Sequence, residues 1–162
     1  MRTETAILKN LLLNEDYTRK VLPFLKIDYF TEHADKTIYD KINDFVVKYN
    51  SLPSKEALVI ELSETKMNEE EFKESMELLD AINSDSEDYT DLGWLLDTTE
   101  KFCQDKAIYN AVVESISILD DPKTGKDKGY IPDLLSGALA VSFDPHVGHD
   151  YLDDSDDRFD FY

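Results

Sequence analysis

Apolar residues recur at three- and four-residue steps along almost the whole chain, which is the period of an α-helix. Ile7, Leu8, Leu11 and Leu12 form one stripe; Tyr17, Val21, Leu22 and Leu25 form a second, which Pro23 should end or kink. From Ala34 the series Ile38, Ile42, Phe45, Val46 and Tyr49 predicts a strong amphipathic helix. Phe45 is expected deep in the core, with Asp35, Lys36, Asp40, Lys41, Asp44 and Lys48 on the solvent side. Asn50, Ser51 and Pro53 break that helix, and Ser54 is placed to cap a following one that presents Leu58, Val59 and Leu62. Asn68 with Glu71 three positions on has the form of a capping box, opening a helix that carries Phe72, Met76, Leu79 and Ile82.

A polar, acidic stretch over 84–91 is expected to link this helical head (1–83) to a different kind of element. Helical spacing then runs from Leu92 to Leu119, a length of about 40 Å at about 1.5 Å per residue, too long to lie wholly inside a head of this size. Asp121, Pro122 and Gly125 stop it, and Pro132 opens a shorter helix with Ile131, Leu134, Leu135, Ala138 and Leu139 in a seam. Residues 92–142 are therefore expected to form an antiparallel two-helix hairpin that projects from the head. The second half of the long helix carries Phe102, Tyr109, Val113 and Ile116 on one side and Ile108, Ala111, Val112, Ser115 and Leu119 on another. One partner helix cannot cover both. Ile108, Ala111, Val112, Leu119, Leu134, Leu135 and Leu139 are thus the candidate surface for a second copy or another protein. The competing arrangement folds the hairpin down onto the head. Either way the fold class is all-α.

Charge narrows the partners. Thirty-six acids against 17 bases give a net charge of -19, a field that repels duplex DNA and attracts basic partners. A single cysteine, Cys103, lies in an apolar helical pattern and reads as a small core residue in a reducing compartment. No run approaches the roughly 20 apolar residues of a membrane span and no cleavable leader is evident, so the cytoplasm of a cell is the expected location.

Candidate chemistry is sparse. His146, His149 and Asp150 could ligate a metal, but a site needs three or four converging donors and a turn is the better reading. Asp153, Asp154, Asp156 and Asp157 lack the Gly and Glu of an EF-hand loop. No nucleophile sits beside a base, and His33 reads as surface, so no catalytic residue and no metal site is assigned. Lys123, Lys126 and Lys128 form the one dense basic cluster, a candidate contact for single-stranded DNA or an acidic partner and equally a solvated turn. Trp94 is expected as a core anchor. Between Phe143 and Tyr162 seven Asp stand against Arg158 alone, interspersed with aromatic residues. Phe143, Tyr151 and Phe159 are candidate docking groups in the start of a linker (143–162), as if a longer protein continued beyond.

The order of these elements, with Asp28-Tyr29-Phe30, Leu52-Pro53-Ser54, Thr99-Glu100-Lys101, Ile131-Pro132-Asp133, Ser142-Phe143-Asp144 and Val147-Gly148-His149-Asp150, resembles the N-terminal domain of DnaB-type replicative helicases of the T-even phage branch. The resemblance implies a collar above a ring of ATPase domains, pairing head to head and hairpin to hairpin. It further implies recruitment of DNA primase, with a helicase loader and single-stranded DNA among the other partners, and a linker that packs on a neighbouring subunit. The phosphate-binding pattern G-x-x-x-x-G-K-[ST] is not found in the chain. Before Gly125-Lys126 the first Gly position holds Asp120, and Asp127 takes the hydroxyl position. ATP and magnesium are accordingly expected on an absent C-terminal motor, and this chain alone is expected to hydrolyse nothing. The alternative that charge alone suggests is a free-standing acidic phage protein that mimics DNA or sequesters a basic host factor.

Overall fold

The computed structural model describes residues 2–83, 91–120 and 128–143. Among them are seven α-helices: α1 (Thr3–Leu13), α2 (Glu15–Val21), α3 (His33–Tyr49), α4 (Lys55–Glu64), α5 (Glu69–Asn83), α6 (Leu92–Asp120) and α7 (Tyr130–Leu139). Two short 3-10 turns, Leu22–Phe24 and Ile27–Tyr29, lie between α2 and α3. The described residues contain no strand, so the molecule is all-α as its periodicity requires.

Local chemistry sets the helix ends. Asn14 accepts from the Tyr17 amide at the start of α2, and Ser54 accepts from the Ala57 amide at the start of α4. Asn68 and Glu71 complete the expected reciprocal box, each accepting the other's backbone N–H. Pro23 falls in the first 3-10 turn, where its missing amide is harmless. α3 ends on Asn50 in the left-handed region at φ 55, a conformation Asn tolerates better than most residues. Arg19 on α2 holds that end by donating to both the Asn50 side chain and its carbonyl.

The core is built from Ile7, Leu8 and Leu11 of α1, Tyr17 and Val21 of α2, Ile38 and Ile42 of α3, Leu58 and Leu62 of α4, and Leu79 and Ile82 of α5. It does not stop at the expected head boundary. Leu95, Phe102 and Cys103 of α6 belong to the same cluster, and the Tyr17 and Thr99 hydroxyls meet at 2.6 Å inside it. α6 thus begins as a head helix, because its positions 95, 99, 102 and 103 share one face. Only its later turns leave the head.

Three residues sit differently from expectation. Asp35 is 1% exposed, not on the solvent side, because Arg2 grips its carboxylate with two parallel N–H···O bonds of 2.9 and 3.0 Å. Phe45 is only half-buried and packs on Tyr49 with ring centroids 4.7 Å apart, since Ile38 and Ile42 take the deepest line of α3. Trp94 is 56% exposed: it falls in the first turn of α6, its amide held by Asp91, while its neighbour Leu95 turns inward.

Candidate functional site

Past Ala107, α6 runs beyond the head core and pairs with α7. The inner face of this pair is closed by Ala111, Ser115 and Ile118 on α6 and Ala138 on α7, all buried. The opposite side of α6 is uncovered. Tyr109, Val112, Val113, Ile116 and Leu119 are exposed at 42–64%, and Leu139 on α7 at 72%. At about 100° per residue those five α6 positions fall within one third of the helix circumference, so they form one stripe.

That allotment differs from the one read from spacing. Val112 and Leu119 were grouped with Ala111 and Ser115, yet the structure turns the first two outward beside Tyr109, Val113 and Ile116 and the last two inward toward α7. Among the other candidates, Ile108, Leu134 and Leu135 are half-buried at the edges of the hairpin. Lys128 is exposed, whereas Lys123 and Lys126 lie outside the described residues, as do His146, His149, Tyr151 and Phe159.

A polar clasp holds the root of the hairpin to the head. Asn110 donates to the Asp28 carbonyl at 3.0 Å, and Gln104 donates to the Val141 carbonyl at 3.0 Å. Glu100 accepts from the Phe143 amide at 2.8 Å and from the Ser142 hydroxyl at 3.3 Å. Phe143 then stacks on Phe24 with centroids 4.9 Å apart, so this aromatic docks on its own head. Glu100 stands out in the sequence only as part of the Thr99-Glu100-Lys101 segment, and Gln104 and Asn110 not at all, because a polar residue on a helix carries no local sign of its distant partner.

Beside Tyr109 the same side of α6 continues toward the head as a groove of about 630 Å³. Thr98, Lys101, Phe102, Asp105 and Lys106 of α6 line it, closed by Thr3, Glu4 and Thr31. Lys101 is paired with Asp105 at 3.0 Å, and the Lys106 ammonium lies 5.8 Å from the Phe102 ring centre.

No group of three or more His, Cys, Asp or Glu that could hold a metal occurs among the described residues. The strong pKa shifts come from burial of neutral groups. Desolvation pushes the Cys103 thiol and the Tyr39 hydroxyl each up to about 12, and raises Tyr17 further. Tyr39 meanwhile donates to the Leu25 carbonyl at 2.9 Å. These are inert core groups. No described helix is long and apolar enough to cross a membrane.

An all-helical head, a long helix shared between head and hairpin, and an apolar stripe left uncovered on that helix define the described part of the chain as an all-α helical module. Its relationship follows from sequence similarity. No protein-family model matches the chain. In an alignment 161 positions long that covers 94% of this chain, it is 34% identical to a DnaB-like replicative helicase of Enterobacteria phage T4. The chain is a homologue of the N-terminal part of that DnaB-type helicase. It spans about a third of that relative's length (33%).

Proposed function

We propose that this chain is the collar module of a phage replicative helicase. It joins copies of itself through the outer stripe of α6, and the assembled collar recruits DNA primase at the replication fork. The parent protein in this reading is an ATP-driven DNA-unwinding enzyme whose ATP and magnesium are held outside these 162 residues. A helicase loader and single-stranded DNA are further partners, with exposed Lys128 at the start of α7 on the side expected to meet DNA.

The observation that carries the reading is the stripe itself. Five apolar side chains in a row on a helix stay in water although the head and α7 bury the other faces of the same helix. Such contiguous exposure marks an association site. Similarity to a replicative helicase over nearly the whole chain supplies the setting.

Sedimentation equilibrium of this chain, alone and with its phage primase, tests both halves. The expected result is reversible self-association and a slower-exchanging complex once primase is added, with no phosphate release from ATP by this chain alone. A strict monomer at millimolar concentration that ignores primase but binds basic proteins would instead favour an acidic decoy, the reading suggested by the net charge of -19.

A further inference from the structure

The outer side of α3 carries apolar side chains that the core does not use. Ile38 and Ile42 are fully buried, whereas Val47 is 75% exposed beside half-buried Val46. These two valines form one wall of a groove of about 280 Å³, and Leu22 and the exposed Pro23 of the first 3-10 turn form the other. Thr18, Arg19 and Asn43 complete the lining, so its one charged residue is Arg19. Grooves on other faces carry carboxylates: Glu4 and Asp105 beside Tyr109, Asp44 and Glu61 beside Tyr49, Asp28 and Glu114 at the root of the hairpin. A space of this volume takes one or two apolar side chains, and a helix about 10 Å across does not fit it.

The polar clasp delivers the chain to this groove. Gln104 holds the Val141 carbonyl, Glu100 holds the Ser142 hydroxyl and the Phe143 amide, and the Phe143 ring stacks on Phe24. Phe24 is next in sequence to Pro23, so the polypeptide is set down beside one wall. Asp144 precedes Pro145, which biases it toward extended backbone and away from a new helix at that point. Eight residues past Phe143, Tyr151 and Leu152 are the first pair of adjacent large apolar residues, within an extended reach of about 26 Å. Asp150, Asp153 and Asp154 flank them. A segment of that charge is repelled by walls that carry carboxylates and tolerated by one whose only charge is a guanidinium.

We infer that the segment following Phe143, which lies outside the described residues, binds back on its own head and seats Tyr151 and Leu152 in the groove between α2 and α3. Its acids then face Arg19 and water. A single copy suffices for this contact, so it stands independently of the association through α6. Any partner that uses this face of the head competes with the segment for it.

Cross-linking within the full chain tests it. Asn43→Cys on the groove rim is paired with Asp153→Cys, which leaves Tyr151 and Leu152 in place; Tyr109→Cys with Asp153→Cys is the control on another face. Cys103 is fully buried and stays out of the reaction. In dilute solution the Asn43 pair is expected to close an intramolecular disulfide at least about tenfold faster than the control, because docking raises the local concentration of the second thiol. Adding Val47→Asp, at a position exposed enough to leave the thermal melt unchanged, should slow that closure by about tenfold. In the chain without these substitutions, chymotrypsin should cut after Tyr151 about tenfold more slowly than in the Val47→Asp protein, since cleavage follows the undocked population. Equal closure of the two pairs, or closure and cleavage that ignore Val47→Asp, would overturn the docking. Disulfides found only between differently tagged molecules would place the segment on a second copy and overturn docking within one chain.

Discussion

Replacing Val112 and Leu119 together by Asp puts two carboxylates into the outer stripe, and its consequence can be worked from exposure. Val112, Val113, Ile116 and Leu119 are each about half exposed, at 42%, 48%, 52% and 54%. Full burial of such a side chain is worth about 1.5–3 kcal/mol, so each has about 1 kcal/mol still to gain and two facing copies about 8 kcal/mol before Tyr109 is counted. Lost translational and rotational freedom opposes this with an estimated 4–15 kcal/mol, which leaves at most about 4 kcal/mol, so the unsubstituted chain should associate only weakly, in roughly the millimolar range. The double substitution removes about 2 kcal/mol of apolar gain per copy, which across a pair weakens association by about a thousandfold, before any cost of desolvating four carboxylates. Folding should lose only about 1 kcal/mol, from helix propensity and a negative charge near the α6 C-terminus. Sedimentation equilibrium reads the first quantity and circular dichroism during a thermal melt the second. Unchanged association would refute the assignment of this face, and a collapse of helicity would show that the stripe is core.

Gly137→Ala should stabilise the chain by about 0.5–1 kcal/mol in urea denaturation, because an added Cβ meets nothing within 4 Å and glycine is costly inside a helix. Ser75→Ala should also stabilise, by about 1 kcal/mol, because the fully buried Ser75 hydroxyl makes no hydrogen bond. Arg2→Ala should cost about 2 kcal/mol, less than a fully buried pair because the arginine is itself 43% exposed, and Arg2→Lys should recover only part of it; the double variant with Asp35→Ala measures the coupling. At high pH, Cys103 and Tyr39 keep their protons to about 12 in the fold, whereas ordinary values are 9.0 and 10.0. The unfolded chain then binds fewer protons, so stability is full below about pH 9 and declines as pH rises toward 12, a fall that denaturation at fixed temperature measures.

The extents of the helices were legible in sequence because they are decided locally. Three- and four-residue spacing marks an amphipathic helix, and Ser54 and the Asn68–Glu71 box reach only as far as their own first turns. α6 was expected over 92–119 and is found over Leu92–Asp120 for the same reason. What spacing left open was the partner of each face. Once a helix has more than one apolar face, nothing local says which is taken by the head, which by α7 and which by neither, and so Val112 and Leu119 were grouped with Ala111 and Ser115.

Polar residues show the same division more sharply. Asp35 lies among charged neighbours in α3 and reads as solvated, and only Arg2, 33 residues earlier in the chain, makes it a buried, doubly bonded carboxylate. Gln104 and Asn110 donate to carbonyls, and Glu100 accepts from an amide, at partners 37 to 82 residues away in the chain. The order of amino acids by itself determined that this protein is helical, where its helices begin, how acidic it is and which helicase it is related to. Tertiary structure alone decided that α6 is shared between core and hairpin and that one of its faces is left in water, because burial is a property of neighbours brought together from distant parts of the chain.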